Sequence, residues 1–327
     1  MTNALDAHPG KANDLIQISR RPGKGRRGSG SVMSHISSSP AGVGGSAPFE
    51  LHYFPPDPDL AEMVSSFYVA RINVPRFDEY ERADRPQFRF MTVADGEYVF
   101  ADGHHSPACR ANIVGPTSGR VRAIANGPTT MFGFGLLPAG WAALMGDDAD
   151  KLTDDAMDAA DLFGPWIDEV ATALEQAQTA EEKLVIGNNF AREVLTRGET
   201  APMWFIRTVD EWLTATPSPQ VPALVEATGM SIRSVERMTK HYYGLPPRML
   251  ARKYRAVRAA SALARGEGLD AAQLGDAFYD QSHLIREIKR FAGATPGQLS
   301  NPTLYTQATT RGRKQLAGKV GRIVSET

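Results

Sequence analysis

The C-terminal third of the chain contains two pairs of amphipathic helical segments joined by one long helical segment, and this arrangement most constrains the fold. In the first pair, Gly229 occupies the tight turn, where a positive φ is needed, and Ser231 can cap the second helix. In the second pair, Asp270 can cap the first helix and Asp280 the second. A helix, a short turn and a second helix form the shape that places the second helix in a DNA major groove. The pattern predicts an all-α domain with two helix-turn-helix units.

The second helix of each pair carries basic and polar side chains opposite its apolar stripe. Positive charge and forked donors suit phosphates and guanine. We expect the second helix of the first pair to read bases in one groove. The start of the corresponding helix of the second pair should contact bases or phosphate in the next groove. Lys240, Arg286, Lys289 and Arg290 should bind mainly the DNA backbone. The candidate DNA-binding residues are Arg233, Ser234, Arg237, Lys240 and His241 on the first helix, and Gln281, Ser282, His283, Arg286, Lys289 and Arg290 on the second.

The same residue types also occur on ordinary solvated helix faces. Arg252, Arg255 and Arg258 on the long connecting helix are interpreted as phosphate-binding or surface charges rather than base readers. The argument for DNA binding is that basic faces recur on two helices of one architecture.

Charge is distributed very unevenly along the chain, although the net charge is only −1. Residues 49–216 hold thirteen basic and twenty-seven acidic residues, whereas residues 217–299 hold twelve basic and seven acidic ones. Residues 1–48 and 300–327 are both net basic. This asymmetry indicates that the C-terminal part meets a polyanion while the acidic middle has another role.

Changes of composition divide the chain into four segments. Residues 1–48 are rich in Gly, Ser, Pro and basic residues, which predicts a disordered extension. We expect a β-rich sensor or dimerisation domain over 49–200, the helical DNA-binding domain over 203–303, and a basic flexible tail over 304–327.

The β-rich part lies mainly within residues 87–136. Short stretches of alternating apolar residues there are separated by turn signals such as Asp95-Gly96 and Asn126-Gly127-Pro128. They predict a small antiparallel β-sheet or barrel, and the pattern becomes helical after Pro138. The fold class is therefore α+β: an N-terminal sheet or barrel with helices, followed by an all-α double helix-turn-helix domain.

The stretch from Tyr279-Asp280-Gln281-Ser282-His283 to Lys289-Arg290-Phe291, followed by Gly293, Thr295 and Pro296, resembles the signature of AraC/XylS transcriptional regulators. The resemblance covers about residues 203–303 and implies two recognition helices in successive major grooves. The family usually has glycine where Ala277 stands, which predicts a strained or reshaped turn here. It often has an aromatic residue where Thr239 stands, which predicts a first lobe that is less well packed or turned differently.

The middle of the chain resembles an uncharacterised N-terminal domain that precedes AraC-type domains. The stretches that carry this resemblance are "IVGPTSGR", "MFGFGLLPAGWAALMG" and "DAADLFG". It implies a sensor or dimerisation module without indicating a ligand.

Other chemistry has little support in the sequence. The single cysteine, Cys109, excludes an internal disulfide and any zinc site with two thiolates. Asp102, His104, His105 and Cys109 form the one compact cluster typical of metal ligands, and a polar turn is the simpler interpretation. We therefore expect no metal and no cofactor.

These observations predict a cytoplasmic, sequence-specific transcriptional regulator that is not an enzyme. The expected partners are double-stranded promoter DNA, RNA polymerase, a small-molecule effector and a second copy of the chain, but not a membrane. The alternative is a ligand-processing enzyme whose β-rich domain is catalytic. That alternative requires His and carboxylate residues that converge on strands, and only the His104–His105 loop resembles such a set.

Overall fold

The computed structural model describes residues 47–196, 198, 200–269 and 277–327. Nearly all of the predicted extension 1–48, and the start of the second helix-turn-helix from Asp270 to 276, lie outside these residues. None of the helices in the described part of the chain combines the length and apolar character needed to cross a membrane.

The N-terminal region contains two antiparallel sheets. A six-stranded sheet has the order β1-β2-β9-β4-β7-β10, and a four-stranded sheet has the order β3-β8-β5-β6. Both sheets are open, so the antiparallel prediction is confirmed in its sheet form rather than as a closed barrel. The strands are β1 (Phe49–Phe54), β2 (Val64–Ile72), β3 (Arg76–Glu81), β4 (Gln87–Met91), β5 (Gly96–Val99), β6 (His105–Pro107), β7 (Ala111–Val114), β8 (Val121–Asn126), β9 (Thr129–Leu136) and β10 (Ala156–Asp158).

Helices follow the sheets, and twelve are present in the described residues. Four lie before residue 200: α1 (Pro138–Met145), α2 (Ala160–Phe163), α3 (Trp166–Gln176) and α4 (Ala180–Leu195). The others are α5 (Met203–Ala215), α6 (Val221–Thr228), α7 (Ile232–Tyr243), α8 (Pro247–Ala264), α9 (Gln281–Ala292), α10 (Pro296–Leu299), α11 (Leu304–Lys314) and α12 (Arg322–Ser325).

Alternating side chains of the six-stranded sheet contribute to two cores. Phe88 and Phe134 stack with ring centroids 5.4 Å apart, and Phe190 of α4 packs on Phe88 at 5.0 Å. Residues with the opposite orientation, such as Ile72 and Met91, pack with the four-stranded sheet. The large sheet is therefore covered by α1–α4 on one face and by the small sheet on the other.

The helical region has two lobes that share the long helix α8. Leu224 of α6 and Val235 of α7 are fully buried with Leu250 in the first lobe. Ile288 of α9 and Leu299 of α10 pack against the C-terminal part of α8 in the second. This arrangement confirms the predicted all-α helix-turn-helix region, of which the segment 270–276 lies outside the described residues.

Residues 304–327 differ from the predicted flexible tail, because they fold back over the rest of the molecule as α11 and α12. Tyr305 packs against the rings of Phe49 and Phe77, at 5.6 and 5.7 Å. Ile323 and Val324 enter the core of the first lobe. The basic composition conceals apolar and small residues at helical spacing, and these fit a surface formed by distant parts of the chain.

Candidate nucleic-acid interface

The two candidate recognition helices, α7 and α9, have matching ends. Each contains twelve residues. The Ser231 side chain accepts a hydrogen bond from the backbone N–H of Ser234 (3.2 Å), and Asp280 accepts one from that of His283 (2.6 Å). Both helices end at a glycine in the left-handed region, Gly244 and Gly293. These are the caps and stops that helix ends favour, and they set the length of each helix.

The predicted exposed face of α7 is present. Val235, Thr239 and Tyr243 are buried at spacings of four residues. Arg233, Arg237 and Lys240 are exposed on another side of the helix, while Ser234 is half-buried with its hydroxyl 2.9 Å from that of Ser231. The three cations therefore share a face that solvent or DNA can reach.

The structure does not group His241 with these exposed cations. Its Nδ1 pairs with the carboxylate of Asp148, which precedes a short 3-10 helix, Ala149–Leu152. The ring is half-buried and lies edge-on to that of Tyr242. His241 therefore contacts the N-terminal region, a long-range pairing that helical spacing alone does not reveal.

On α9, Gln281, Ser282, Arg286, Lys289 and Arg290 are exposed. His283 is half-buried, and its Nδ1 accepts a hydrogen bond from the backbone N–H of Tyr279 (3.3 Å). Its ring also packs edge-on against Phe278. His283 therefore helps to shape the turn before α9.

An open groove of about 770 Å³ lies between the two lobes. It is lined by the start of α6 and by one side of α8 and α9. Its charged and titratable residues are Arg248, Arg252, Arg255, His283, Arg286, Glu287 and Arg290. Five arginines therefore face one carboxylate, which gives the groove a net positive charge.

Glu287 neutralises part of that charge. Its carboxylate accepts hydrogen bonds from Nε (3.0 Å) and Nη2 (2.7 Å) of Arg252, and Arg255 lies 3.9 Å away. Burial alone would raise the pKa of Glu287, but the two arginines lower it overall. Glu287 therefore stays ionised and anchors α9 to α8.

The connecting helix corrects the sequence analysis in part. Arg252 and Arg255 line the groove, where both lie beside the Glu287 carboxylate. Arg258 instead is buried and donates to the carbonyl of Thr216 (2.8 Å), so it is not a surface charge. Arg248 lines the groove and is absent from the candidate set. Its position on the same helix as Arg252, four residues earlier, is the signal that identifies it.

Ala277 and Thr239 are the two positions at which the sequence departs from the family pattern. Ala277 is buried, and the residues of the turn before it, 270–276, lie outside the described ranges. Thr239 is fully buried, and its hydroxyl donates to the carbonyl of Glu236 (3.1 Å). The turn expected to be strained or reshaped lies outside the described residues, and the expectation of a less well packed or differently turned first lobe stays a prediction.

The N-terminal region holds the C-terminal ends of both recognition helices. Thr153 donates to the Gly244 carbonyl (2.9 Å) after α7. The backbone N–H of Arg120 donates to the Arg290 carbonyl (2.9 Å), and that of Ala83 donates to the Phe291 carbonyl (2.6 Å). All three hydrogen bonds are made at the C-terminal ends of the helices, away from their N-terminal caps.

The residues considered for metal binding have separate partners. His104 Nε2 lies 3.0 Å from Asp155 Oδ1, whereas His105 Nδ1 lies 2.9 Å from Glu97 Oε2. Burial, reinforced by Asp158, raises the pKa of the Cys109 thiol to about 11, so it is not a reactive thiolate at neutral pH. No group of three or more potential metal ligands is gathered within the described ranges.

Family models match two parts of the sequence. Residues 224–301 match a model described as a helix-turn-helix domain, and residues 52–158 match a domain of unknown function, DUF6597. The first match confirms the AraC-type domain and a DNA-binding transcription regulator. A comparison with curated proteins finds no relative.

Three solved structures of ToxT from Vibrio cholerae are similar in outline. An apo variant from strain SCE256 has a TM-score of 0.42 at 9% identity and covers 78% of this chain and 98% of that one. ToxT from strain O395 scores 0.40 at 8% identity, covering 77% and 96%. Wild-type ToxT with bound unsaturated fatty acid scores 0.39 at 9% identity, covering 76% and 93%.

Proposed function

We propose that this chain, whose C-terminal third is an AraC-type helix-turn-helix domain, inserts α7 and α9 into successive major grooves on one side of an operator. The observation that carries this proposal is the pair of equally capped helices, one in each of two lobes that are separated by an arginine-lined groove. Such helices bind half-sites about one helical turn apart, roughly 34 Å.

The exposed cations of α7 are the proposed base readers. Arg233 and Arg237 have the fork geometry that pairs with guanine O6 and N7, and Ser234 lies beside them. Lys240 would bind the adjacent backbone. His241 would reach a phosphate only after its pairing with Asp148 opens.

On α9, Gln281 and Ser282 stand at the free N-terminal end and would contact bases or phosphate. Arg286, Lys289 and Arg290 would bind mainly the backbone. The His283 ring would approach DNA through its remaining nitrogen, since Nδ1 is engaged by Tyr279.

The groove between the lobes would hold the duplex backbone where it passes from one major groove to the next. The start of α6 has no side-chain cap within the described chain, so its backbone N–H groups add to the positive field of the arginines. Arg248 and Arg255 are the proposed phosphate ligands from α8.

The DNA-binding domain would span residues 203–303. The region over 49–200 would control DNA binding through an effector or through dimerisation. RNA polymerase and a second copy of the chain are the proposed protein partners, and the cytoplasm is the proposed compartment. The protein would act by binding and not by catalysis.

Fluorescence anisotropy tests the proposal. Labelled DNA from the gene's own upstream region is compared with a scrambled duplex across a salt series. We expect preferential binding of the upstream DNA and a logarithmic affinity that falls linearly with the logarithm of salt concentration. An absence of binding to either duplex at low salt would contradict the proposal.

A further inference from the structure

Arg82 has an unusual environment at the junction of three parts of the molecule. It follows β3 and lies between α8 and α11, which places it where the N-terminal sheets meet the DNA-binding domain. Its Nη1 donates to the hydroxyl of Ser261 on α8 (2.9 Å). Its Nε and Nη2 are buried and have no hydrogen-bond partner among the described residues.

These two atoms form one complete edge of the guanidinium group. A carboxylate pairs with arginine through two parallel N–H donors of this kind. Buried donors are rarely left without partners, because their desolvation is then uncompensated. The free edge of Arg82 therefore has the geometry of half of a bidentate pair.

Further unpartnered groups lie on the neighbouring face of α11. Thr309 Oγ1 and Arg313 Nε are buried without a hydrogen-bond partner in the described part of the chain. Both side chains belong to residues that are at least nine-tenths buried. Polar groups from two distant segments thus surround one small region.

Two small cavities flank the Arg82 side chain, each with a volume of about 30 Å³. Tyr305, Thr309 and Arg82 line both, Ser261 lines one and Arg313 the other. About 10–15 Å³ of such space accommodates one water-sized group. Each cavity therefore has room for about two oxygen atoms.

Positive charge exceeds negative charge around these cavities. Asp84 is paired with Arg313, and its backbone carbonyl accepts from the ammonium group of Lys253. Arg82 forms no ion pair with a carboxylate of the described residues. Burial, together with the charge of Arg313, lowers the pKa of Arg82 to about 9, and burial lowers that of Lys253 to about 8. An anion bound here would offset this excess of positive charge.

We infer that Arg82, with Thr309 and Arg313, forms a buried binding site for the carboxylate group of a small organic acid. Two carboxylate oxygens would accept from the free edge of Arg82, and the Thr309 hydroxyl would add a third donor. Because Arg82 also holds Ser261 on α8, an occupied site would brace the helix that joins the two lobes. This regulatory consequence rests on the proposed function, but the binding site itself does not.

Thermal unfolding of the full chain tests the site without DNA. Sodium formate and sodium acetate are titrated at constant ionic strength, with sodium isethionate as the balancing salt. We expect a saturable rise in the unfolding midpoint, because a ligand that binds the folded state stabilises it. A midpoint that does not respond to either acid would overturn the inference.

Matched variants locate the effect. Arg82→Gln removes a buried charge that has no counter-charge paired with it among the described residues, so the variant should fold. It also removes the two free N–H donors, so its apparent affinity for the acid should fall at least tenfold. Thr309→Val keeps the shape and should weaken it by a smaller factor. Arg76→Gln, at an arginine on β3 whose side chain is 56% exposed, should bind the acid as the wild type does. An equal response in Arg82→Gln and wild type would place the ligand elsewhere and overturn the assignment.

Other anions and an NMR measurement sharpen the result. If phosphate or chloride raised the midpoint as strongly as acetate, the assignment to the carboxylate class would be wrong. The Arg82 Nε–H resonance, identified by its loss in Arg82→Gln, should shift on addition of acetate. DNA affinity is then measured with and without acetate. Acid binding without an effect on DNA would retain the site and refute its regulatory role.

Discussion

The two lobes present similar recognition helices but bury carboxyl groups in opposite ways. In the first lobe, Asp210 accepts a hydrogen bond from the hydroxyl of Tyr243 (2.9 Å), and burial raises its pKa to about 6. In the second, Glu287 is held by Arg252, and its pKa is lowered. One lobe uses a neutral donor and the other an ion pair, so similar external geometry does not imply similar internal electrostatics.

Truncation of the apolar cores should have the largest effect and should be similar in the two lobes. Leu224→Ala and Ile288→Ala each remove a fully buried side chain, and each should lower the free energy of unfolding by about 2–5 kcal/mol. Chemical denaturation measures both. Ile285→Ala, on the exposed side of α9, serves as the control. A loss below about 1 kcal/mol in only one lobe would show that the cores are not equivalent.

Glu287→Gln should destabilise the protein, because Arg252 loses a charged acceptor. We expect a loss of about 1.5–3 kcal/mol at neutral pH. The pKa of Glu287 is lowered in the folded state, so its stabilisation is complete above the unfolded pKa and disappears as the pH falls through the folded value. Urea titrations from pH 7 to 3 should show the variant and the wild type converging. A constant difference would refute the ionic account.

Asp210→Asn should change the free energy of unfolding in the opposite direction and stabilise the protein. The folded pKa is raised, so ionising Asp210 destabilises the fold, with the full penalty above about pH 6 and none below the unfolded value near 3.8. The amide still accepts from Tyr243, so the variant should be more stable than wild type by about 1–3 kcal/mol at pH 7. The gain should vanish near pH 3.5. A loss of stability at pH 7 would remove the contrast between the lobes.

The lobes should also differ in how their arginines bind DNA. Arg237→Ala should reduce discrimination between operator and scrambled DNA by about 1–3 kcal/mol. Arg286→Ala should weaken binding to both DNAs similarly and reduce the salt slope by about one. Anisotropy with the two duplexes measures both variants. An equal loss on both DNAs for Arg237→Ala would make Arg237 a backbone contact.

Release of α7 from the N-terminal region should have the smallest effect. Asp148→Asn removes a partly exposed partner of His241, and such pairs contribute about 0–1 kcal/mol. DNA affinity should rise at most about fivefold, because His241 no longer has to leave a carboxylate. Asp150→Asn, two residues further on in the short helix that follows Asp148, is the matched control. A decrease in affinity specific to Asp148→Asn would indicate that the pairing positions α7 for DNA.

Local signals predicted much of the helical domain. Ser231, Asp280 and Gly229 act through hydrogen bonds and backbone conformations within a few residues, so their roles are visible in the sequence. The antiparallel strands were predictable for the same reason, from alternation and turn residues. DNA contact by the candidate residues remains a prediction.

Long-range contacts could not be predicted from the same signals. The pairing of His241 with Asp148 joins residues 93 positions apart, and that of Arg313 with Asp84 joins residues 229 apart. Both require a tertiary fold before the partners meet. The folded segment over 304–327 was missed for this reason, since its helix packs on strands near the start of the described chain.

The position of Tyr305 between Phe49 and Phe77 has a consequence for synthesis on the ribosome. Residues this far apart in sequence meet late, because the intervening chain must be translated and ordered before they can touch. Until α11 emerges, the aromatic rings at the edge of the sheets remain uncovered. Nascent chains that stall before this point would therefore expose an apolar surface that chaperones recognise, and completion of the N-terminal half depends on residues translated more than two hundred codons later.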